Sequence, residues 1–128
     1  MSERDLVEID DKNWEEVVEK DGHLAVMFYN STCPHCKAMM PHFEATAKEF
    51  RGRVTFGRIN VKDNTYAVNR YGIVAVPTFV FFCGGRPVQQ IVGEIDPSVL
   101  KKITEDTVQF GNRCVSKSTP ITFTAGYV

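Results

Sequence analysis

The run HLAVMFYNSTCPHCKAMMPHF, from His23 to Phe43, joins a strand pattern directly to a helix pattern that opens on two cysteines. Its first eight residues are mostly apolar, which is typical of a strand buried on both faces of a sheet. Ser31 or Thr32 stands where a helix cap is expected, so we predict a helix from Cys33 to about Phe50. Pro41 falls inside that helix and predicts a kink. A buried strand that leads into a helix is the building unit of an α/β protein.

The segments around this unit extend the alternation of strands and helices. Strands are predicted for DLVEID and RVTFGRINV, and short helices for DKNWEEVVEKDG and NTYAVNRYG. Two later strands, TFVFFC and RPVQQIV, are joined by Gly84-Gly85, which signals a hairpin. Asp96-Pro97 then opens a last helix that extends to about Phe110. The order β-α-β-α-β-α-β-β-α predicts a mixed central sheet with helices on both faces.

The composition is that of an ordinary globular domain. The chain has 128 residues, of which 43% are hydrophobic and 24% are charged, and its net charge is -1. This size suffices for one core without staples or metal, and the charge balance gives no reason to expect nucleic acid or an anionic membrane as a partner. The longest apolar run, YGIVAVPTFVFFCGG, is broken by Pro77 and is too short to span a bilayer. The N-terminal sequence lacks the basic and then apolar order of a signal peptide, so a cytoplasmic protein is expected.

We expect one domain over residues 1–111 and a tail over residues 112–128. The chain contains no internal repeat and no sign of a second domain. The tail has no helical period, and its ITFT run favours either an added edge strand or a disordered end, since termini fray unless they are tied down.

The cysteines carry the chemistry that the sequence indicates. Cys33 and Cys36 form a close pair, whereas Cys83 and Cys114 stand alone. A Cys-x-x-Cys beside a βαβ pattern in a cytosolic protein indicates dithiol redox chemistry. Cys33 in the first helical turn lies near unpaired N–H groups and the positive end of the helix dipole, which stabilise the attacking thiolate. Cys36, one turn later, is placed to close a short disulfide and release what Cys33 has captured.

Two other interpretations of the pair are weaker. A structural zinc site needs four ligands, and although His35 and His42 lie nearby, His35 sits between the cysteines and points elsewhere on the helix. A structural disulfide is not expected in a reducing compartment. We therefore predict no metal site and no cofactor. Cys83 is expected to be a core or hairpin-edge thiol, with a disulfide to Cys114 as the alternative under oxidising conditions.

The quoted run, together with VTFGRINVKDN, YGIVAVPTFVFFCGGRPV and VGEIDPSVLKKI, resembles the thioredoxin family over about residues 5 to 110. The resemblance implies the α/β thioredoxin fold and a thiol–disulfide oxidoreductase. It also implies a cis peptide bond between Val76 and Pro77 that faces the cysteines, where the backbone holds an extended substrate chain. Gly93 stands where the family has a glycine that borders the substrate groove. Thr32 replaces the tryptophan that usually precedes the nucleophile.

Several residues depart from the thioredoxin pattern. The dipeptide Pro34-His35 between the cysteines, and Val76 before the proline, resemble the bacterial oxidant DsbA. A histidine at a helix N-terminus stabilises a neighbouring thiolate, which predicts a more oxidising disulfide than that of thioredoxin. Met27 stands where thioredoxins bury an aspartate, and Arg58 stands where they usually have a lysine paired with it. The usual proton acceptor for the resolving thiol is therefore missing.

We predict that the protein is an enzyme of electron transport and redox homeostasis, which carries out dithiol–disulfide exchange with protein substrates. The predicted catalytic residues are Cys33, Pro34, His35 and Cys36. The predicted substrate-binding residues are Thr32, Val76, Pro77 and Gly93. A flavoprotein reductase or a small thiol is expected to supply electrons to a monomeric protein. Two alternatives stay open: an exported disulfide-forming oxidant whose leader has been removed, and a binding module that uses the cis-proline groove while its cysteines are incidental.

Overall fold

The computed structural model of the protein describes residues 6–19 and 22–110. Within these ranges the strands and helices follow one another as β1 Leu6–Ile9, α1 Trp14–Val18, β2 His23–Tyr29, α2 Pro34–Glu49, β3 Val54–Asn60, α3 Thr65–Arg70, β4 Thr78–Cys83, β5 Arg86–Val92 and α4 Pro97–Phe110. This order confirms the predicted α/β succession. The predicted tail over residues 112–128 lies outside the described residues. None of the helices named above combines the length and the apolar composition that crossing a bilayer requires.

The sheet is mixed, as predicted, and β2 occupies its centre in the strand order β1-β3-β2-β4-β5. β2 pairs in parallel with β3 and antiparallel with β4. β4 and β5 form the predicted hairpin, in which Cys83 lies opposite Arg86. The turn residues Gly84 and Gly85 have φ angles of 61° and 86°. Glycine adopts such left-handed angles without a Cβ clash, and a two-residue turn of this kind fits the twist of the strands.

Helices cover both faces of the sheet, and this explains the unbroken apolar run of β2. Ala25 and Met27 pack into a cluster with residues of α2 and α4. Val26 and Phe28 point to the other face, into a second cluster built around Trp14 of α1. A strand that is buried on both faces has no polar face, so its sequence shows no alternation.

The topology brings two loops together at one edge of the sheet. β2 ends at Tyr29 and β4 begins at Thr78, and Phe28 lies opposite Thr78 in the antiparallel pairing. The loop that follows β2 therefore lies beside the residues that precede β4. The first loop leads into α2 and its two cysteines, and the second contains Val76-Pro77. This juxtaposition builds the site described next.

Candidate active site

Cys33 is the N-cap residue of α2, with extended backbone angles of φ -83° and ψ 119°. Its sulfur accepts a hydrogen bond from the Cys36 N–H at 3.4 Å. The cap predicted at Ser31 or Thr32 is therefore wrong by one or two positions. The reason is a tight turn before the helix, in which Asn30 Oδ1 accepts from the Thr32 N–H at 3.0 Å and the Asn30 carbonyl accepts from the Cys33 N–H at 3.0 Å.

The two cysteines of the pair are free thiols that differ in their access to solvent. Cys33 is half-buried at the rim, whereas only 1% of the Cys36 surface is exposed. A sulfur of a partner molecule therefore meets Cys33 first. Cys36 lies one turn further along α2, on the inner side of Cys33.

The protonation tendencies of these thiols are opposite. Burial raises the pKa of Cys33, but hydrogen bonds from the Cys36 thiol and from the backbone N–H groups of Cys36 and His35 outweigh it and leave that pKa lowered. Burial is also the main cause that raises the pKa of Cys36 to about 11, against a hydrogen bond with the Asn30 backbone that lowers it. The arrangement provides one reactive sulfur at the surface and one protonated sulfur beneath it.

Val76 and Pro77 face the cysteines and line a groove beside them. The peptide bond between them is cis in the structure, and the Cys33 sulfur lies 4.0 Å from the Val76 carbonyl oxygen. The Gly93 N–H donates to the Pro77 carbonyl at 2.7 Å, which connects the end of β5 to the start of β4. These three residues, with His35, line an open groove of about 630 Å³.

Gly93 has a φ angle of 102°, and a Cβ built on it would meet no atom within 4 Å. The glycine is required here by its left-handed backbone rather than by crowding within the chain. Its free face opens into the groove, so a partner chain has room to approach the backbone.

Thr32 and Pro34 are exposed and lie outside the lining of this groove. The Thr32 hydroxyl donates to Asn30 Oδ1 at 2.9 Å, so it closes the turn before the helix. Pro34 occupies the first position of α2, where the missing N–H removes no intrahelical hydrogen bond. Thr32 and Pro34 were both predicted site residues, but they belong to the turn and to the helix start and do not line the groove.

The His35 imidazole makes a contact that the sequence did not reveal. Its Nδ1 lies 2.6 Å from Oε1 of Glu94, which directly follows Gly93 on the far side of the groove. From the sequence, His35 was considered as a neighbour of the Cys33 thiolate and as a zinc ligand, not as the partner of a carboxylate. Glu94 was missed because 59 residues separate it from His35, and the one available signal was its position next to the groove glycine.

A second cavity, of about 340 Å³, opens on the Cys36 side and is bounded by Met40 and Arg58. Arg58 donates to Glu8 Oε1 at 2.7 Å and to the Met40 sulfur at 3.6 Å. It is held at the cavity wall rather than free in solvent. Met27 is fully buried in the same cluster as Cys36, so an apolar side chain occupies the position of the missing carboxylate.

Outside the pair, Cys83 at the end of β4 is disulfide-bonded. The expectation of a thiol there is therefore wrong, because the sequence around Cys83 carries no signal for the distance to another cysteine. Cys114, named as its alternative partner, lies outside the described residues. In the ranges 6–19 and 22–110, no three or more of the His, Cys, Asp and Glu side chains cluster as metal ligands.

Comparison with known proteins gives one family. The family model described as Thioredoxin matches residues 5–106. A protein named thioredoxin from Alicyclobacillus acidocaldarius subsp. acidocaldarius is 31% identical over 99 residues, which are 77% of this chain and 94% of the relative. Another from Chlorobaculum thiosulfatiphilum is 33% identical over 100 residues, covering 77% and 93%. Thioredoxin M4, chloroplastic, from Arabidopsis thaliana is 34% identical over 98 residues, covering 76% of this chain and 51% of the relative.

The family model covers most of the chain, and the fold and the cysteine pair are those that the family requires. These comparisons favour neither a binding module with incidental cysteines nor an exported oxidant. The chain belongs to the thioredoxin family and is a thiol–disulfide oxidoreductase.

Proposed function

We propose that Cys33 is the nucleophile of this oxidoreductase and that Cys36 is its resolving thiol. The observation that carries the assignment is the contrast between the two sulfurs. Cys33 is accessible and has a lowered pKa, whereas Cys36 is 1% exposed and has a pKa of about 11. An attacking sulfur needs access and thiolate character. A resolving sulfur needs only to reach its neighbour.

The exchange proceeds in two steps. The Cys33 thiolate attacks one sulfur of a substrate disulfide, a mixed disulfide forms, and the other substrate sulfur leaves as a thiolate that takes up a proton. Cys36 then loses its proton and attacks the Cys33 sulfur, which releases the second substrate thiol. Two electrons have passed to the substrate, whose sulfurs take up two protons, one balanced by the proton that Cys36 loses and one from solvent, and Cys33 and Cys36 are joined by a disulfide. The reverse sequence oxidises a substrate dithiol.

The groove residues Val76, Pro77 and Gly93 are proposed to hold the substrate chain. The Cys33 sulfur lies 4.0 Å from the Val76 carbonyl, so a chain that pairs with this backbone places its own sulfur near Cys33. Pairing between an extended chain and exposed backbone provides affinity with little dependence on side chains. Protein disulfides are therefore the proposed substrates. Thr32 and Pro34 contribute through the shape of the turn and of the helix start.

Trapping tests these assignments. Cys36→Ser leaves the nucleophile in place and removes the resolving thiol, so mixed disulfides with substrate proteins should accumulate through Cys33. Cys33→Ser is the matched control, and it should trap none. The assay is non-reducing electrophoresis of the protein after incubation with a disulfide-containing protein and rapid alkylation. Equal trapping by the two variants would overturn the roles proposed for them.

We further infer that the Cys33/Cys36 couple is more oxidising than that of thioredoxin. His35 lies between the two cysteines in the first turn of α2, and a histidine there favours the neighbouring thiolate, so the reduced form is stabilised and the disulfide is a stronger oxidant. Equilibration with glutathione measures the potential. A value at or below the thioredoxin value of about -270 mV would contradict the inference.

The cytoplasm is the proposed place of action, with a flavoprotein reductase or a small thiol as the electron donor. A dithiol that such donors keep reduced needs a reducing compartment, whereas the disulfide bond of Cys83 is of the kind that persists in oxidising ones and weighs on the other side. Rapid thiol alkylation in intact cells should find Cys33 and Cys36 reduced, and a pair that is mainly oxidised would count against this location. We also propose that the protein is a monomer without nucleic acid or membrane partners, which light scattering and vesicle or DNA co-sedimentation would check.

A further inference from the structure

The pair formed by His35 and Glu94 closes one side of the groove next to the cysteines. His35 lies in the first turn of α2, and Glu94 lies in the connection between β5 and α4. The two side chains are 68% and 47% exposed, and their atoms Nδ1 and Oε1 are 2.6 Å apart. A carboxylate accepts hydrogen bonds and donates none, so the proton in this contact belongs to Nδ1 of His35.

This contact has two consequences for Cys33. It commits one nitrogen of the imidazole to Glu94, so the ring is held at the groove wall and does not turn freely toward the sulfur. It also places a negative charge beside the reactive thiol, and the charge of Glu94 acts to raise the pKa of Cys33. Both consequences disfavour the thiolate. They oppose the effect expected from a histidine placed between the two cysteines.

We propose that Glu94 is a positioning residue for the thiol–disulfide exchange: its carboxylate holds the His35 imidazole at the groove wall and thereby lowers the redox potential of the Cys33/Cys36 couple. The inference rests on the proposed roles of these two cysteines. It predicts that the redox potential of the Cys33/Cys36 couple is lower than it would be with the same Cys-Pro-His-Cys sequence and no carboxylate beside His35. A histidine between the cysteines favours an oxidising couple, and Glu94 opposes that tendency.

The test replaces the carboxylate by an amide in Glu94→Gln. The variant keeps the length of the side chain and loses the charge, so the imidazole is no longer held by an anion. The reduced form then gains stability and the disulfide becomes the stronger oxidant. We expect the equilibrium constant for oxidation of glutathione to rise at least threefold, which is about 14 mV at about 30 mV for each factor of ten. The absorbance of the Cys33 thiolate should titrate at lower pH.

Two further variants separate this mechanism from a general loss of negative charge. Asp96→Asn is the matched control, because Asp96 lies on the same groove wall but its carboxylate accepts from the Ser98 N–H at 2.9 Å and from the Ser98 hydroxyl at 2.7 Å. Its potential should stay at the wild-type value. The other is Glu94→Gln in a His35→Ala background. If Glu94 acts through His35, the change in the equilibrium constant should fall to less than half, on a logarithmic scale, when the imidazole is absent.

The inference is overturned if Glu94→Gln leaves the potential unchanged, or if Asp96→Asn shifts it equally. It is also overturned if half or more of the effect of Glu94→Gln, on a logarithmic scale, persists without His35. These results are distinct from a failure of the proposed function. If the proposed function failed, Cys36→Ser would trap no substrate. In all of the outcomes above, Glu94→Gln is expected to form mixed disulfides and to resolve them.

Discussion

The step in which Cys36 resolves the mixed disulfide should depend steeply on pH. Burial is the largest cause that raises the pKa of Cys36 from 9.0 to about 11, and the Cys33 sulfur adds to it. The contribution of burial is the one expected to remain once Cys33 is joined to a substrate. At neutral pH the Cys36 thiolate is then scarcer than that of an ordinary thiol by up to about a hundredfold. A more basic thiolate is intrinsically more nucleophilic with a Brønsted coefficient of about 0.4–0.5, so resolution at neutral pH should be slower by up to roughly tenfold.

The two pKa shifts predict different pH dependences for resolution by Cys36 and for capture by Cys33. Resolution should accelerate about tenfold for each pH unit between about pH 6 and pH 9, because every unit below the raised pKa of Cys36 removes nine-tenths of its thiolate. Capture by Cys33 should instead level off once the pH exceeds its lowered pKa. A mixed disulfide of Cys33 with a chromogenic aromatic thiol, mixed rapidly into buffers of different pH, reports resolution as the coloured thiolate is released.

The control is Cys36→Ser, which should release no coloured thiolate on the same time scale. The refuting result is a resolution rate that becomes constant below about pH 8. Such a plateau would mean that a proton acceptor assists Cys36. This would contradict the environment in the structure, where the fully buried Met27 packs in the same cluster as Cys36.

Three substitutions test the packing and the groove. Phe43→Ala removes a fully buried ring whose centroid lies 5.1 and 5.6 Å from those of two other phenylalanine rings. It should lower the free energy of unfolding, measured in urea, by about 3–5 kcal/mol. A loss under about 1 kcal/mol would be inconsistent with this core. Gly57→Ala would place a Cβ 2.5 Å from the Ile9 Cδ1 atom, with an expected loss of about 1–3 kcal/mol, and an equally stable variant would show that Ile9 moves freely. Gly93→Ala should reduce kcat/KM severalfold for a protein disulfide, because the added methyl group enters the groove and obstructs the substrate chain. A small disulfide should react as before. Equal effects on both substrates would argue against contact between Gly93 and the substrate chain.

The sequence was sufficient for the order of elements and for the cysteine pair. Each of these depends on neighbours along the chain: β2 shows an unbroken apolar run, and Gly84-Gly85 marks a turn by backbone conformation alone. The predicted N-cap of α2 was off by one or two residues, and its predicted first residue by one. Asn30 accepts two hydrogen bonds through its side chain within the preceding turn, and several polar residues in a row offered competing caps.

The relations across the groove could not be predicted from sequence. The antiparallel pairing of β2 with β4 brings Val76 to Cys33, 43 positions away, and the turn after β5 brings Glu94 to His35, 59 positions away. The raised pKa of Cys36 is likewise a property of the packing around it, since its largest cause is burial.

Hydrophobic period, turn residues and a three-residue spacing are local properties of the chain. The fold class, the helix that carries the cysteines and the dithiol chemistry could therefore be predicted from the residues alone. Which thiol is exposed and which is buried, what the histidine contacts and where the groove lies depend instead on tertiary contacts. Burial and charge act through space, and the distance between two side chains is set by strand register rather than by their separation along the chain.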